Sequence, residues 1–229
     1  MLGHTHCLSG LAAGAAIGSL VLHLHAPPLA LFATVTAAYA LASDLDTCGG
    51  TEARSFGFVT GAFAWFVRLA SGGHRHGTHS VLGVAAFTAV AWLACLFRHT
   101  WPGVIVLGVV LAVGFASALD ALRIGGHAGN LLACAGAAVM CFTGYGLALV
   151  PLAAGLGAST HLLGDSLTKC GVPLAWPFTM REFHVTPRCL WFTTGRWPEH
   201  LIVTPLLLAT LGWLIYRDIG AGFTGGLAQ

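Results

Sequence analysis

Charge is almost missing from this sequence. Asp, Glu, Lys and Arg make up 8% of its 229 residues, against roughly 25% in soluble domains, and Lys169 is the only lysine. A soluble globular domain is excluded. The 56% hydrophobic content and mean hydropathy of +0.81 instead place the chain in a membrane. A net charge of +2, without a lysine/arginine stripe, offers nothing for a nucleic-acid backbone to bind. The seven cysteines contain no CxxC pair, which argues against a disulfide framework or a cysteine-based zinc knuckle. Several lie in apolar runs, where a thiol behaves as a small hydrophobe. No basic segment precedes the first apolar run and no signal-cleavage pattern follows it, so that run should stay in the mature protein. Internal repeats are absent as well.

What is present is a series of apolar runs. The first, 7–25, carries Gly10, Gly14 and Gly18 at a spacing suited to close helix packing and is long enough to span, since a bilayer core takes about 20 helical residues. The second, 28–43, is short for a span. The third, 56–69, is aromatic, is interrupted by Arg68, and reads as an interfacial or re-entrant helix. Runs at 81–97, 104–119 and 131–150 follow, the last broken by Pro151. A further helical segment continues to about Thr168, and the last span covers 201–216. Together they predict an all-α, polytopic membrane bundle forming one integral membrane domain over 1–229. The aromatic loop 170–198 is a candidate lid, and the glycine-rich tail 218–229 should be mobile.

Against this background the stretch 72–80 stands out. His74, Arg75, His76 and His79 fall within six residues, flanked by glycines that let the backbone turn the side chains toward one point, and neutral imidazole is a common zinc ligand. Threading the runs back and forth across the bilayer sorts the other polar residues. His6, Asp44, Asp46, His74, His79, His161, Asp165 and Glu199 fall at one face, and His23, His25 and His99 at the other. His161 and Asp165, four apart, are neighbours on one helical face. Asp44 and Asp46 cannot share a helical face, so a non-helical bend is expected to aim both inward. A His or Asp in such a bundle is costly unless paired or metal-bound, and the expectation is a polar metal site at one membrane face. Ser80 and Thr168 could orient ligands or cap helices. His184 and His200 read as interfacial. Glu199 is either a partner of the site or a helix N-terminal charge.

Thr5-His6, Ser43-Asp44-Leu45-Asp46, Gly73-His74-Arg75, Thr78-His79-Ser80, and His161 with Asp165 followed by Thr168, Gly171 and Pro173 resemble the YdjM-type family. That family is described as LexA-binding, inner-membrane-associated, metal-dependent hydrolases, and is grouped with zinc-dependent phospholipase C and related single-strand nucleases. The resemblance implies that His6, Asp44, His79, His161 and Asp165 bind metal directly, with Asp46 and His74 as ligands or partners of ligands. The usual Pro-Asp-x-Asp has Ser43 in place of its proline here.

Carboxylates and imidazoles suit Zn²⁺, with Mn²⁺ or Mg²⁺ as alternatives, in one to three ions. On this reading Asp44 bridges ions or holds the attacking water, Asp46 assists, and Arg75 pairs with a phosphate oxygen. At a bilayer face the expected substrate is a lipid or lipid-linked phosphoester. Trp176, Phe178, Phe183, Trp191, Phe192 and Trp197 could cover its headgroup, or form an interfacial aromatic belt. Eight of the ten basic residues (Arg54, Arg68, Arg75, Arg123, Lys169, Arg181, Arg188, Arg196) fall on the site side and Arg98 and Arg217 on the other, which directs the site to the cytoplasm. The alternative is a non-catalytic membrane scaffold or regulatory protein with a structural metal, and the family description allows a regulatory protein partner. A transporter would need ionisable groups at mid-helix depth, which the runs lack. A haem site is disfavoured because carboxylates accompany the histidines.

Overall fold

A computed structural model describes residues 1–47 and 49–225, with the side chains of 51, 52 and 219–225 left aside. Among the described residues it is helical, without strands. Among these residues, five helices are long and apolar enough to cross a membrane. Of the tail 218–229, expected to be mobile, residues 218–225 continue the last helix and 226–229 lie outside the described residues.

Helix α1 (Gly3–Leu20) runs antiparallel into α2 (Pro28–Ala42), which continues as a 3-10 turn, Ser43–Asp46. The run at 28–43 is therefore not short: with its 3-10 turn it reaches 19 residues, Pro28–Asp46, and qualifies as a span. The first run ends sooner than expected and is not among the five, because His4 and His6 dilute its hydropathy. Short α3 (Thr51–Arg54) leads to α4 (Phe58–Ala70), 13 residues long, too short to cross. It exposes Phe58, Val59, Trp65 and Phe66, the form of an interfacial helix. After the histidine loop come α5 (Val81–Leu96), α6 (Trp101–Ala121) and α7 (Gly126–Thr143). The 16 residues of α5 rise about 24 Å, also below the span length. The run at 131–150 breaks at Gly144, whose φ of 71° caps α7, earlier than Pro151. Proline takes the first turn of α8 (Val150–Ser166), where its missing N–H costs nothing. A five-residue π segment, Glu199–Val203, opens α9 (Thr204–Gly225).

α2 is the centre of the bundle, packed on α1, α8 and α6; α5 also packs on α8, α7 on α6 and α9 on α1. Small residues make the closest contacts. A methyl group added at Gly10 of α1 would stand 2.6 Å from the Ala40 Cβ and 2.8 Å from the Ala37 Cα, so α1 rests on the α2 backbone itself. Gly157 of α8 meets α2 from the other side, where an added Cβ would collide with the Thr36 carbonyl. With no water to withdraw from inside a bilayer, this close backbone approach supplies much of the association energy.

Candidate metal centre

Four segments end at the same face, and each delivers part of a His/Asp cluster. His6 comes from the first turn of α1, Asp44 and Asp46 from the 3-10 turn after α2, His79 from the 3-10 turn Gly77–His79, and His161 and Asp165 from the last turns of α8. His6, Asp46, His79, His161 and Asp165 are buried. Three overlapping groups could hold a metal ion: His6, His161 and Asp165; Asp44, His79 and His161; and Asp44, Asp46 and His74. Because His161 has one nitrogen free for the purpose, the first two groups cannot each use it for a separate ion.

That nitrogen is fixed by the backbone. Ala40 lies in the last turn of α2, where carbonyls lose their intrahelical partners, and His161 Nδ1 donates to its oxygen at 2.7 Å. His161 Nε2 is thereby left as an acceptor facing the cluster. His79 is fixed in the same way: its Nδ1 donates to Thr78 Oγ1 at 3.1 Å, which donates to Asp46 Oδ2 at 2.5 Å. His79 Nε2 then stands 3.2 Å from His161 Nε2. With Nδ1 as the donor on both rings, the two facing Nε2 atoms are lone pairs in the neutral histidines, and their close approach calls for a cation between them. A proton serves; so does a metal, since two nitrogens about 2.0–2.1 Å from a tetrahedral zinc lie about 3.3 Å apart. Asp44 Oδ1 adds 3.6 Å to His79 Nε2 and 3.8 Å to His161 Nε2, and Asp165 Oδ2 lies 3.7 and 3.8 Å from the same atoms.

His6 supplies an independent test of fit. It stacks on His161 with ring centroids 3.8 Å apart. Although its Nε2 lies 3.3 Å from Asp165 Oδ1, neither ring nitrogen has a hydrogen-bond partner among the described residues. Buried imidazoles are rarely left so, and a cation held with Asp165 and His161 would satisfy this one. Meanwhile both Asp165 oxygens already meet cations, the Met1 ammonium and the Arg75 guanidinium.

In place of the expected non-helical bend, the aspartates stand on a 3-10 helical turn that continues α2, and it places them on opposite edges of His79. Asp44 faces Nε2, and Asp46 faces Nδ1 at 3.6 Å. Asp46 also accepts His74 Nδ1 at 2.7 Å and the Arg75 amide at 3.0 Å. With so many donors it acts on its neighbours' orientation, and His74 reaches the cluster through it. Burial alone would lower the His79 pKa, but the carboxylates of Asp44 and Asp46 outweigh that and hold it up at about 9. Asp44 and Arg75 are the two polar side chains of the cluster that remain reachable beside His74, at 25% and 24% exposure.

Other residues fall away from the centre. Ser80 caps α5, accepting from the Gly83 amide at 3.1 Å, and Thr168 donates to the Asp165 carbonyl at 2.8 Å. Glu199 is buried and accepts the Leu2 amide at 2.6 Å and the Gly195 amide at 2.7 Å, clamping the start of α1, hence His6, to the start of α9. His184 stacks on Trp191 and His200 on His4, apart from the cluster. Contributors without an assigned role in the sequence reading include Thr78, whose adjacency to His79 was a usable signal, the Met1 ammonium on Asp165, and the Ala40 carbonyl, for which sequence holds none.

Compared with known proteins, residues 1–221 match the family model described as YdjM inner membrane protein. No curated protein and no solved structure matches.

Proposed function

The chain belongs to the YdjM inner membrane protein family, a multi-pass inner membrane protein, and from that premise we propose a membrane-embedded, metal-dependent hydrolase acting on a lipid or lipid-linked phosphoester. The single observation that carries this reading is the facing pair of His79 and His161 Nε2 atoms at 3.2 Å, each held by a proton donated on its far side. Such pre-orientation by carbonyl and carboxylate partners is the usual support of metal-binding histidines. Imidazole with carboxylate, and no thiolate among the described residues, suits zinc or manganese. A divalent ion in such a site supplies Lewis acidity toward a phosphoryl oxygen and makes water nucleophilic near neutral pH.

The chain's own residues then divide the remaining work. Asp44, the partly open carboxylate on the His79/His161 pair, accepts a proton from attacking water. Arg75, equally open and paired with Asp165, would be free to pair with a phosphate oxygen once Asp165 helped to hold an ion. Asp46 and Thr78 keep His79 in place, and Ala40 keeps His161. Trp176, against Gly77, joins the loop 170–198 to the site as a cover. The burial of the other members also suits a scaffold with a structural ion, and activity separates the two readings.

The test is elemental analysis of detergent-purified wild type, Asp44→Ala and His161→Ala, with hydrolysis of bis(4-nitrophenyl) phosphate alongside. Stoichiometric zinc or manganese in wild type, lost in both variants together with hydrolysis, supports the proposal. Bound metal without hydrolysis of this diester or of phospholipids favours the scaffold, and wild type that neither holds nor takes up metal overturns both.

A further inference from the structure

Beside the His/Asp cluster the bundle is not filled. A cavity of about 850 Å³ lies between α2, α4, α5, α6 and α7, within the roughly 300–1,000 Å³ of ligand pockets. Its walls are almost wholly apolar. It is elongated along the helices: Ser117 and Val104 of α6 both line it, and 13 residues of helix separate their positions by about 20 Å. The Ser117 end is the site end, because the neighbouring Ala118 carbonyl lies 3.8 Å from the thiol of Cys7, next to His6. The Val104 end lies toward the opposite face. The cavity thus extends along most of the bilayer core, which is about 30 Å thick.

Two features connect it to the cluster. Leu45, between Asp44 and Asp46, lines the cavity, so one 3-10 turn presents carboxylates to the histidines and an aliphatic side chain to the apolar space. α4 packs on that same turn and on α3, and its Val59 and Phe63 line one wall. Several lining residues, among them Phe63, Val109 and Phe142, are exposed, so the space is not sealed and opens between the helices toward the bilayer. Tyr39 lines it too, and its buried hydroxyl has no hydrogen-bond partner among the described residues.

We infer that this cavity binds a hydrocarbon chain of a phospholipid whose phosphoryl headgroup lies over the Asp44–His79–His161 group. The inference rests on the hydrolase reading for the headgroup and on the cavity alone for the chain. A sideways opening admits lipid without lifting it from the membrane, and Leu45, between Asp44 and Asp46 in the chain, puts the end of the cavity beside the cluster, as a lipid with its polar group above its chain requires.

Gly108 permits a selective test, since a Cβ there would meet only the Cys141 sulfur, at 3.9 Å; Gly108→Leu fills the space without touching the cluster. The full chain in phosphatidylcholine nanodiscs is photolabelled with trace phosphatidylglycerol carrying a mid-chain diazirine, and the labelled residues are mapped by mass spectrometry. Expected is labelling concentrated on 104–117 and 134–142, reduced about tenfold in Gly108→Leu by the cost of overpacking, with metal content and bis(4-nitrophenyl) phosphate hydrolysis as in wild type. Labelling spread over all outward helix faces, equal in wild type and variant, means annular lipid only and overturns the inference. If Gly108→Leu loses metal through misfolding, Ala138→Leu on the facing helix decides by the same criterion. Failure of the hydrolase reading appears separately, as absent hydrolysis beside intact, Gly108-sensitive labelling.

Discussion

His79 is the side chain through which most of the site's contacts run: Thr78 and Asp46 on one edge, Asp44, Asp165 and His161 on the other. Its pKa of about 9 lies above the ordinary histidine value near 6.5. Without metal, the stability this imidazolium contributes is complete below about 6.5 and is lost as pH rises through about 9. A metal ion uses the same nitrogen and displaces the proton. Calorimetric titration of the apo protein with zinc, in buffers of differing ionisation enthalpy, should therefore show about one proton released per ion near pH 7. Apparent affinity should climb about tenfold per pH unit toward pH 9. Zinc uptake with no proton release would show that His79 is not a ligand.

At the scale of elements, the contact between α2 and α8 decides whether the site exists. The same two helices carry Ala40 and His161, and Gly157 sets how near they come. Gly157→Ala adds one methyl group against the Thr36 carbonyl and 2.8 Å from the Ala40 nitrogen. The expected result is a loss of about 1–3 kcal/mol, read as a lower thermal midpoint in detergent, with weaker metal retention because the His161–Ala40 bond is strained. Gly212→Ala in α9, where nothing lies within 4 Å of an added Cβ, is the control and should leave the midpoint unchanged. The 3-10 turn Ser43–Asp46 is the second deciding element. A further α-helical turn would carry Asp44 and Asp46 to different faces and leave His79 clamped on one edge only.

At the scale of the whole molecule, every polar group of the centre enters from one face, and eight of the ten basic residues are expected on that side. We expect that face in the cytoplasm. Cys170 and Cys189 lie exposed on the loop at that face, so membrane-impermeant maleimide added to intact cells or spheroplasts should leave both unlabelled, with labelling after permeabilisation. Labelling from the outside would invert the orientation and direct any hydrolysis to the outer leaflet.

The sequence by itself determined that the chain is a helical membrane bundle, because near-absence of charge and runs of this length leave no other way to satisfy the backbone. It also pointed to His6, Asp44, Asp46, His79, His161 and Asp165 as one group, since each stands at the end of an apolar run; that these ends meet is shown by the packing of the helices. Boundaries were less legible. The reach of α2 through Asp46 and the end of α7 at Gly144 depend on whether a 3-10 turn or a left-handed glycine forms, and neighbouring helices decide that. Only the tertiary structure decided how the residues divide: that Asp46 orients while Asp44 faces the paired nitrogens, that Glu199 clamps α1, and that an Ala40 carbonyl holds His161. A backbone carbonyl carries no sequence signature, and a cavity is defined by what five helices fail to fill, so both exist only once the helices have packed.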